Sequence, residues 1–211
     1  TLLEVTGVPL DDQMTGSSFL PQLVATDSGR IDAKRDHTLL GKERHDIGRT
    51  DGELLSVAYP SRALRNDQYL YIRNFESHRW PVGNPEYGLL NCDNSPTKTF
   101  LTNLTHDPAE KQWYDMSFGK RPKQQLFDMQ NDPDCVEDLA GDPALAEIVN
   151  KLWLQLKTEL KAQGDPRVLG EGEIFDYYPN CRIDRQQKLY GKPDYAPVKI
   201  FKEKFEKTSL D

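Results

Sequence analysis

The strongest constraint on the fold is an apolar stripe between Asp142 and Gly164. Asp142 is a typical N-cap, Pro143 suits the first helical position, and Gly164 is typical of a helix end. Between these signals, apolar side chains recur every three or four residues, as on one face of an α-helix: Leu145, Ile148, Val149, Leu152, Trp153, Leu156 and Leu160. Such a helix has to bury this face against another element.

The predicted partner of this helix is a small antiparallel sheet. Residues 61–65 and 69–75 are separated by Asn66-Asp67, and the second run is rich in aromatic and β-branched side chains, which indicates a β-hairpin. Residues 125–129 predict a further short strand. We therefore expect an α+β fold, in which a long C-terminal helix packs on a small antiparallel sheet and long loops connect the elements.

Two regions show little periodicity. Residues 76–123 are expected to form one long loop, which is ordered because Trp80, Trp113 and Tyr114 argue against disorder. Residues 165–211 are expected to form a surface tail, with an amphipathic helix at 199–207.

Charge and composition exclude several function classes. The formal net charge of -7 argues against bulk attraction to nucleic acid. No apolar run approaches the roughly 20 residues of a membrane helix, so no membrane association is expected. Three cysteines are too few for a disulfide scaffold or a zinc site, although one pair could bridge in an exported protein.

The chain starts without an initiator Met or a signal peptide, and residues 1–7 are typical of a helix end, so we expect a fragment.

A cluster of charge follows the apolar run Thr38-Leu39-Leu40. This pattern predicts a buried strand whose exit carries polar side chains into a cleft. The cluster contains cations that favour an anionic ligand, and Arg can hold a sulfate or carboxylate with two hydrogen bonds; its charged side chains are Lys42, Glu43, Arg44, His45, Asp46 and Arg49. The alternative is a solvated loop.

An ordered set of motifs resembles the type I sulfatases. The most specific are YPSRALRNDQYLYIRNF at residues 59–75 and LFDMQNDPDCVEDLA at residues 126–140. The set also includes Gly41-Lys42-Glu43-Arg44-His45 and covers about residues 1–178. Within the family, the chain looks most like the heparan N-sulfatase (sulfamidase-like) branch.

The resemblance implies the C-terminal part of an enzyme of the alkaline phosphatase superfamily, with an α/β sandwich as the parent fold. Such enzymes hydrolyse sulfate esters or sulfamates, often on glycans, with a formylglycine nucleophile and a calcium ion. Both would lie in an N-terminal catalytic core outside this chain, so no catalytic residue and no metal ligand is expected here. Ala58-Tyr59-Pro60-Ser61-Arg62 imitates the nucleophile motif, but Ala58 has no heteroatom to oxidise.

The same resemblance divides the chain and assigns its partners. Residues 1–50 would end the catalytic core, residues 51–164 would form the C-terminal subdomain, and residues 165–211 the tail. The strand at 37–43 would belong to, or border, the large core sheet. The expected partners are a sulfated carbohydrate and the N-terminal core of the same chain, and the expected location is the periplasm or outside the cell.

Five residues are predicted to bind substrate. By the resemblance, Arg44 would clamp a sulfate or uronate, His45 would bond a sugar hydroxyl or assist the leaving group, and Glu43 would bind substrate or orient Arg44. Arg49 and Lys98 complete the set, and Arg79 and Trp80 are weaker candidates in the long loop. Two alternatives stay open: a stand-alone module that binds sulfated glycans, and the C-terminal part of a related phosphodiesterase or phosphonate hydrolase.

Overall fold

A computed structural model describes residues 1–206 and contains the predicted antiparallel sheet. Four strands lie in the order β1-β4-β5-β6, and every neighbouring pair is antiparallel. A separate two-stranded ladder joins β2 and β3. The strands are β1 (His37–Lys42), β2 (Thr50–Asp51), β3 (Leu54–Leu55), β4 (Ser61–Asn66), β5 (Tyr69–Asn74) and β6 (Gln124–Asp128).

The helices include the predicted long one, which packs on the sheet. They are α1 (Leu2–Thr6), α2 (Leu20–Val24), α3 (Pro96–Asn103), α4 (Lys111–Phe118), α5 (Ala146–Ala162), α6 (Pro166–Leu169), α7 (Ile174–Tyr177), α8 (Ile183–Tyr190) and α9 (Pro197–Phe201). Short 3-10 turns occur at 85–87, 104–106 and 143–145, and a π-helical turn occupies 202–206.

The main core lies between α5 and one face of the four-stranded sheet. The register places Leu39, Leu64, Tyr71 and Leu126 side by side across the four strands. The α5 side chains that pack on this row are Val149, Leu152, Leu156 and Leu160. The predicted hairpin, third strand and packing helix are therefore confirmed.

The ends of α5 follow the local signals in the sequence. The Asp142 carboxylate accepts a hydrogen bond from the Ala144 amide (2.8 Å), and Pro143 opens a 3-10 turn that leads into α5. Gly164 has φ 72°, a left-handed conformation that favours glycine. Both ends of the helix are thus specified locally.

The strand at 37–43 is not buried on both faces, while its place beside a core sheet outside this chain stays a prediction. It is β1, an edge strand that pairs along its whole length with β4. Only Leu39 of the apolar run faces α5, while Leu40 keeps 48% of its surface exposed. An apolar run of three residues was interpreted as burial on both faces, but alternation along a strand buries only one.

The segment at 76–123 is not one long loop. It contains α3 and α4, which pack on a small core formed by Leu89, Tyr114 and Phe118. Ser95 caps α3 by accepting a hydrogen bond from the Lys98 amide (3.1 Å), and Pro96 takes the first helical position. This capping pattern was present in the sequence and would have predicted the helix.

Residues 165–206 are also more structured than a surface tail. They form α6 to α9 and the π-helical turn, and they bury Asp176 and Gln186. The amphipathic helix expected at 199–207 corresponds to α9 and the turn after it, while Lys207 lies outside the described residues.

Cys92, Cys135 and Cys181 are free thiols. Within residues 1–206, every helix falls short of the length and apolar character that crossing a membrane requires.

Candidate functional site

The predicted strand exit begins where β1 ends at Lys42. The Tyr59 amide donates to the Glu43 carbonyl (2.9 Å), so the chain leaves the sheet beside the start of β4. Residues 43–58, called the exit loop below, leave and return at this point. The candidate site residues Glu43, Arg44, His45 and Arg49 all belong to this loop.

Glu43 joins the exit loop to the sheet and to the C-terminal helices. One carboxylate oxygen lies 3.0 Å from Arg62 Nη2, and the other lies 2.5 Å from Arg167 Nη2. Arg62 also binds Asp165 (2.6 Å). Within residues 1–206 these are the ion pairs of Glu43, and the predicted pair with Arg44 does not form.

Arg44 is half-buried and donates to two backbone carbonyls. Its guanidinium bonds Ser56 O (3.3 Å) and Tyr178 O (2.5 Å), which ties the exit loop to the residue that follows α7. Burial lowers the pKa of Arg44, although Tyr195 and Asp176 oppose this change. The side chain stays cationic at neutral pH, because the pKa of Arg starts above 12.

His45 is the exposed member of the predicted set. In the part of the chain that the structure describes, its imidazole makes no hydrogen bond or ion pair. Both ring nitrogens are therefore available to a ligand. Among the five predicted residues, it best fits a direct contact with substrate.

Arg49 is fully buried, and it organises backbone rather than facing solvent. Its guanidinium donates to Trp80 O (2.6 Å), Pro81 O (2.9 Å) and Val57 O (3.1 Å). Burial, followed by repulsion from Arg79, lowers its pKa to about 10. A substrate could reach it only if this packing rearranged, so its role in binding stays a prediction.

Lys98 lies in a similar cage at the start of α3. Its Nζ donates to the carbonyls of Gly88 (2.8 Å), Leu89 (3.0 Å) and Cys92 (2.7 Å), and only 8% of the residue is exposed. Lys98 thus closes the turn at residues 88–92, and its role in substrate binding also stays a prediction.

That turn contacts the exit loop directly. Asn91 Oδ1 accepts a hydrogen bond from the Asp46 amide (3.0 Å). A Cβ placed on Gly48 would lie 2.8 Å from the side chain of Leu90, so this close approach requires glycine or a shift of Leu90. The structure therefore connects Lys98 to the exit loop through the turn.

A buried ion pair that the sequence did not predict anchors the far end of the exit loop. Arg79 binds the Asp176 carboxylate with both terminal nitrogens (2.9 and 3.1 Å) and bonds Asp51 (2.9 Å) through Nε. Asp176 also accepts from the Ala58 amide (2.8 Å). Burial opposes protonation of Arg79, but the hydrogen bonds that it donates to Asp176 outweigh burial and raise the pKa of Arg79.

Tyr190 of α8 joins two parts of the exit loop through its hydroxyl. Its hydroxyl accepts from the Ser56 amide (3.0 Å) and donates to the carbonyl of Ile47. Its ring packs edge-on against Tyr87 with centroids 5.2 Å apart. Sequence reasoning missed Asp176 and Tyr190. Both lie in the segment after position 164, and the many aromatic residues of that segment were the available signal that it packs.

No group of three or more His, Cys, Asp or Glu side chains within residues 1–206 is arranged to hold a metal ion. The described residues therefore do not fit the calcium site that the resemblance implies, and the expected calcium stays a prediction about residues outside this range.

The chain is similar to two curated sulfatases. It is 29% identical over 178 residues to an ulvan-active sulfatase of Formosa agariphila, an alignment that covers 82% of this chain and 29% of the relative. A second ulvan-active sulfatase of that organism is 28% identical over 184 residues and covers 83% of this chain and 26% of the relative. The chain thus spans less than a third of each relative, and the similarity supports a relationship to sulfatases. No family model matches it.

Solved structures give weaker similarity. A 2-O GAG sulfatase superposes with a TM-score of 0.44 at 16% identity, covering 79% of this chain and 24% of that one. A protein solved with its substrate D-glucosamine-2-N,6-O-disulfate gives a TM-score of 0.45 at 14% identity, with the same coverage. TM-scores this low do not establish a common fold.

Proposed function

We propose that this chain is the C-terminal portion of a sulfatase that removes sulfate from a sulfated polysaccharide. The observation that carries the proposal is the alignment of more than four-fifths of the chain with two ulvan-active sulfatases. The exit loop would form one wall of the substrate pocket. The formylglycine nucleophile and the calcium ion would lie in an N-terminal core, and the location would be periplasmic or extracellular.

Exposed apolar side chains support a larger assembly. Leu2, Val5, Leu23 and Val24 each expose 61% or more of their surface. Large apolar side chains exposed together often mark a surface that packs against other protein. This agrees with a chain that packs on a catalytic core, and it counts against the stand-alone glycan-binding module.

In this proposal the exit loop binds substrate and does not carry out the chemistry. His45 would bond a sugar hydroxyl or a leaving-group oxygen through its free ring nitrogens. Arg44, half-buried and cationic, would add electrostatic attraction for a sulfate or uronate. Glu43 would keep the loop in place through Arg62 and Arg167. Sulfamate as the substrate and the sulfamidase-like branch remain parts of this proposal.

The test is His45→Ala in the full-length enzyme, with sulfate release measured on ulvan and on 4-nitrophenyl sulfate. Loss of a hydrogen bond to a sugar oxygen predicts a fall in kcat/KM on ulvan of about 3- to 10-fold, with little change on the aryl sulfate. His106→Ala, in the exposed turn after α3, is the matched control and should leave both rates unchanged.

Two results would contradict the proposal. If the wild-type enzyme releases sulfate from neither substrate but hydrolyses a phosphodiester or phosphonate, the sulfatase assignment is wrong. If His45→Ala lowers both activities equally, His45 serves the chemistry or the fold instead of polymer recognition.

A further inference from the structure

Four cationic side chains gather on the sheet face opposite α5. Lys42 lies on this face by strand alternation, and its Nζ donates to Pro81 O (3.2 Å). Lys120 Nζ lies 5.4 Å from the ring centroid of Trp80, the neighbouring residue. Two arginines lie beside these lysines. The set, called the cation cluster below, is Lys42, Arg49, Lys120 and Arg121.

The charges of Arg49 and Arg121 both lie near Tyr59, which comes two residues before β4. The Arg49 guanidinium lies 5.6 Å from the ring centroid of Tyr59. Arg121 donates to the carbonyls of Asp115 and Met116 at the end of α4. The charges of Arg121 and Arg49 both act on the Tyr59 hydroxyl, although burial dominates and raises its pKa to about 12.

The side chains of the cation cluster contact only neutral groups among the described residues. Within residues 1–206 its members bond backbone carbonyls or face an aromatic ring, and none forms an ion pair with a carboxylate. Elsewhere in the molecule, Arg62, Arg79 and Arg167 each bind a carboxylate. In a chain with net charge -7, an uncompensated group of four positive charges is unusual and attracts an anion.

A buried polar atom at the same place also lacks a partner. Tyr59 is only 3% exposed, and its hydroxyl has no hydrogen-bond partner within the described residues. Buried hydroxyls are normally paired, so an orphaned one calls for an explanation such as a bound group. This observation is independent of the charges and lies next to them.

We propose that the cation cluster is an anion-binding subsite for a polysaccharide, holding a sulfate or uronate carboxylate on a sugar other than the one that loses its sulfate. Lys42 directly precedes Glu43, so the subsite continues from the exit loop, and a polymer with repeated anions can reach both. Exposed Lys42 and Lys120 would contact the anion, while Arg49 and Arg121 add to the positive field. The inference rests on the proposed function.

The test compares two double variants of the full-length enzyme. Lys42→Gln/Lys120→Gln removes the exposed charges of the cluster. Lys151→Gln/Lys188→Gln is the matched control, since both lysines are exposed, make no ion pair within residues 1–206, and lie on α5 and α8. KM and kcat are measured on ulvan and on 4-nitrophenyl sulfate, together with the melting temperature.

The expected result is a change confined to polymer binding. Losing two charge contacts should raise KM on ulvan about tenfold, with kcat on ulvan and both constants on the aryl sulfate within about twofold of the wild type. The difference should shrink at 0.5 M salt, where charges are screened over a few ångströms. Desulfated ulvan, used as a competitor, shows whether the subsite binds the carboxylate or the sulfate. Inhibition of the wild type but not of the cluster variant indicates carboxylate recognition. No inhibition of either enzyme indicates sulfate recognition.

Two outcomes would overturn the inference. Unchanged KM on ulvan in the cluster variant shows that the lysines do not contact the polymer. A lower melting temperature with equal loss on both substrates shows that carboxylates elsewhere in the full-length protein pair with these cations.

Failure of the proposed function is distinguishable from failure of this inference. If the wild type releases no sulfate from either substrate, calorimetric titration with ulvan still tests the subsite. Binding that weakens about tenfold in the cluster variant alone would then support it, and equal binding by both variants would overturn it.

Discussion

Two regions of this molecule are stabilised in different ways. The unit formed by the four-stranded sheet and α5 is held by a row of apolar side chains: Leu64, Tyr71 and Leu126 against Leu152 and Leu156. The exit loop and the helices after position 164 are tied to each other and to β4 by directional bonds between charged and polar groups, such as Arg62 with Asp165 and Arg79 with Asp176. These partners are 103 and 97 positions apart in the chain.

This difference predicts how the stability of each region responds to single substitutions. Apolar burial is the sum of many small contacts, so one truncation removes part of it. A buried ion pair behaves otherwise, because loss of one member leaves a buried charge without compensation. The region that carries the candidate site should therefore be the more sensitive to single polar substitutions.

The largest effect is expected for Asp176→Ala. The substitution leaves Arg79 buried without its main partner and removes the acceptor of the Ala58 amide. Breaking a buried pair from one side predicts a loss of about 3–5 kcal/mol in the free energy of unfolding, measured by urea denaturation.

The control for this variant is Asp115→Ala, which breaks an exposed i,i+4 pair with Lys111. An exposed pair predicts a change of about 0.5 kcal/mol or less. Equal effects of the two substitutions would show that burial of the Arg79–Asp176 pair does not matter.

A comparable or slightly smaller effect is expected for Leu156→Ala in the sheet–helix unit. Leu156 is fully buried, and its truncation leaves a cavity against the sheet, which predicts a loss of about 2–5 kcal/mol. Leu154→Ala on the same helix is the matched control, because 65% of Leu154 is exposed. A loss from Leu154→Ala as large as that from Leu156→Ala would contradict the observed orientation of α5.

The smallest effect is pH-dependent and concerns the contact between β1 and α5. His37 Nδ1 lies 2.6 Å from Asp36 and Nε2 lies 2.9 Å from Glu159. Burial opposes protonation, but the hydrogen bonds that the protonated ring donates to Asp36 and Glu159 outweigh burial and raise the pKa of His37. The stabilisation is therefore fully present below the ordinary value of about 6.5 and is lost as pH rises through the higher folded pKa.

The measurement is the free energy of unfolding of the wild type and of His37→Gln at pH 5.5, 7 and 8.5. The excess free energy of unfolding of the wild type over the variant should decrease as pH rises. A constant difference across this range would mean that the ion pairs of His37 contribute nothing to stability.

The sequence predicted the sheet–helix unit well and the candidate site only in part. Capping residues, helical spacing and the Asn66-Asp67 turn act over a few residues, so they identified α5, β4, β5 and β6. The strand exit was also located from local pattern, within one residue of the end of β1. The Ser95-Pro96 cap carried equal local information about α3, but we interpreted its surroundings as a loop.

Which charged residues of the exit loop are exposed could not be predicted from the sequence. Arg44, His45 and Arg49 look equivalent in a polar stretch, yet one is half-buried, one is exposed and one is fully buried. The environment of Arg44 depends on Tyr178, and that of Arg49 depends on Trp80 and Pro81, which come from other parts of the chain.

The sequence by itself determined the elements whose causes are local: the stripe and caps of α5, the hairpin, and the position of the charged strand exit. Only the tertiary structure decided which faces of those elements are covered, which cations have carboxylate partners, and that His45 makes no hydrogen bond or ion pair with the other described residues. The physical reason is range. Periodicity and capping depend on neighbours within one or two turns, whereas burial and ion pairing depend on which remote segments the fold brings into contact.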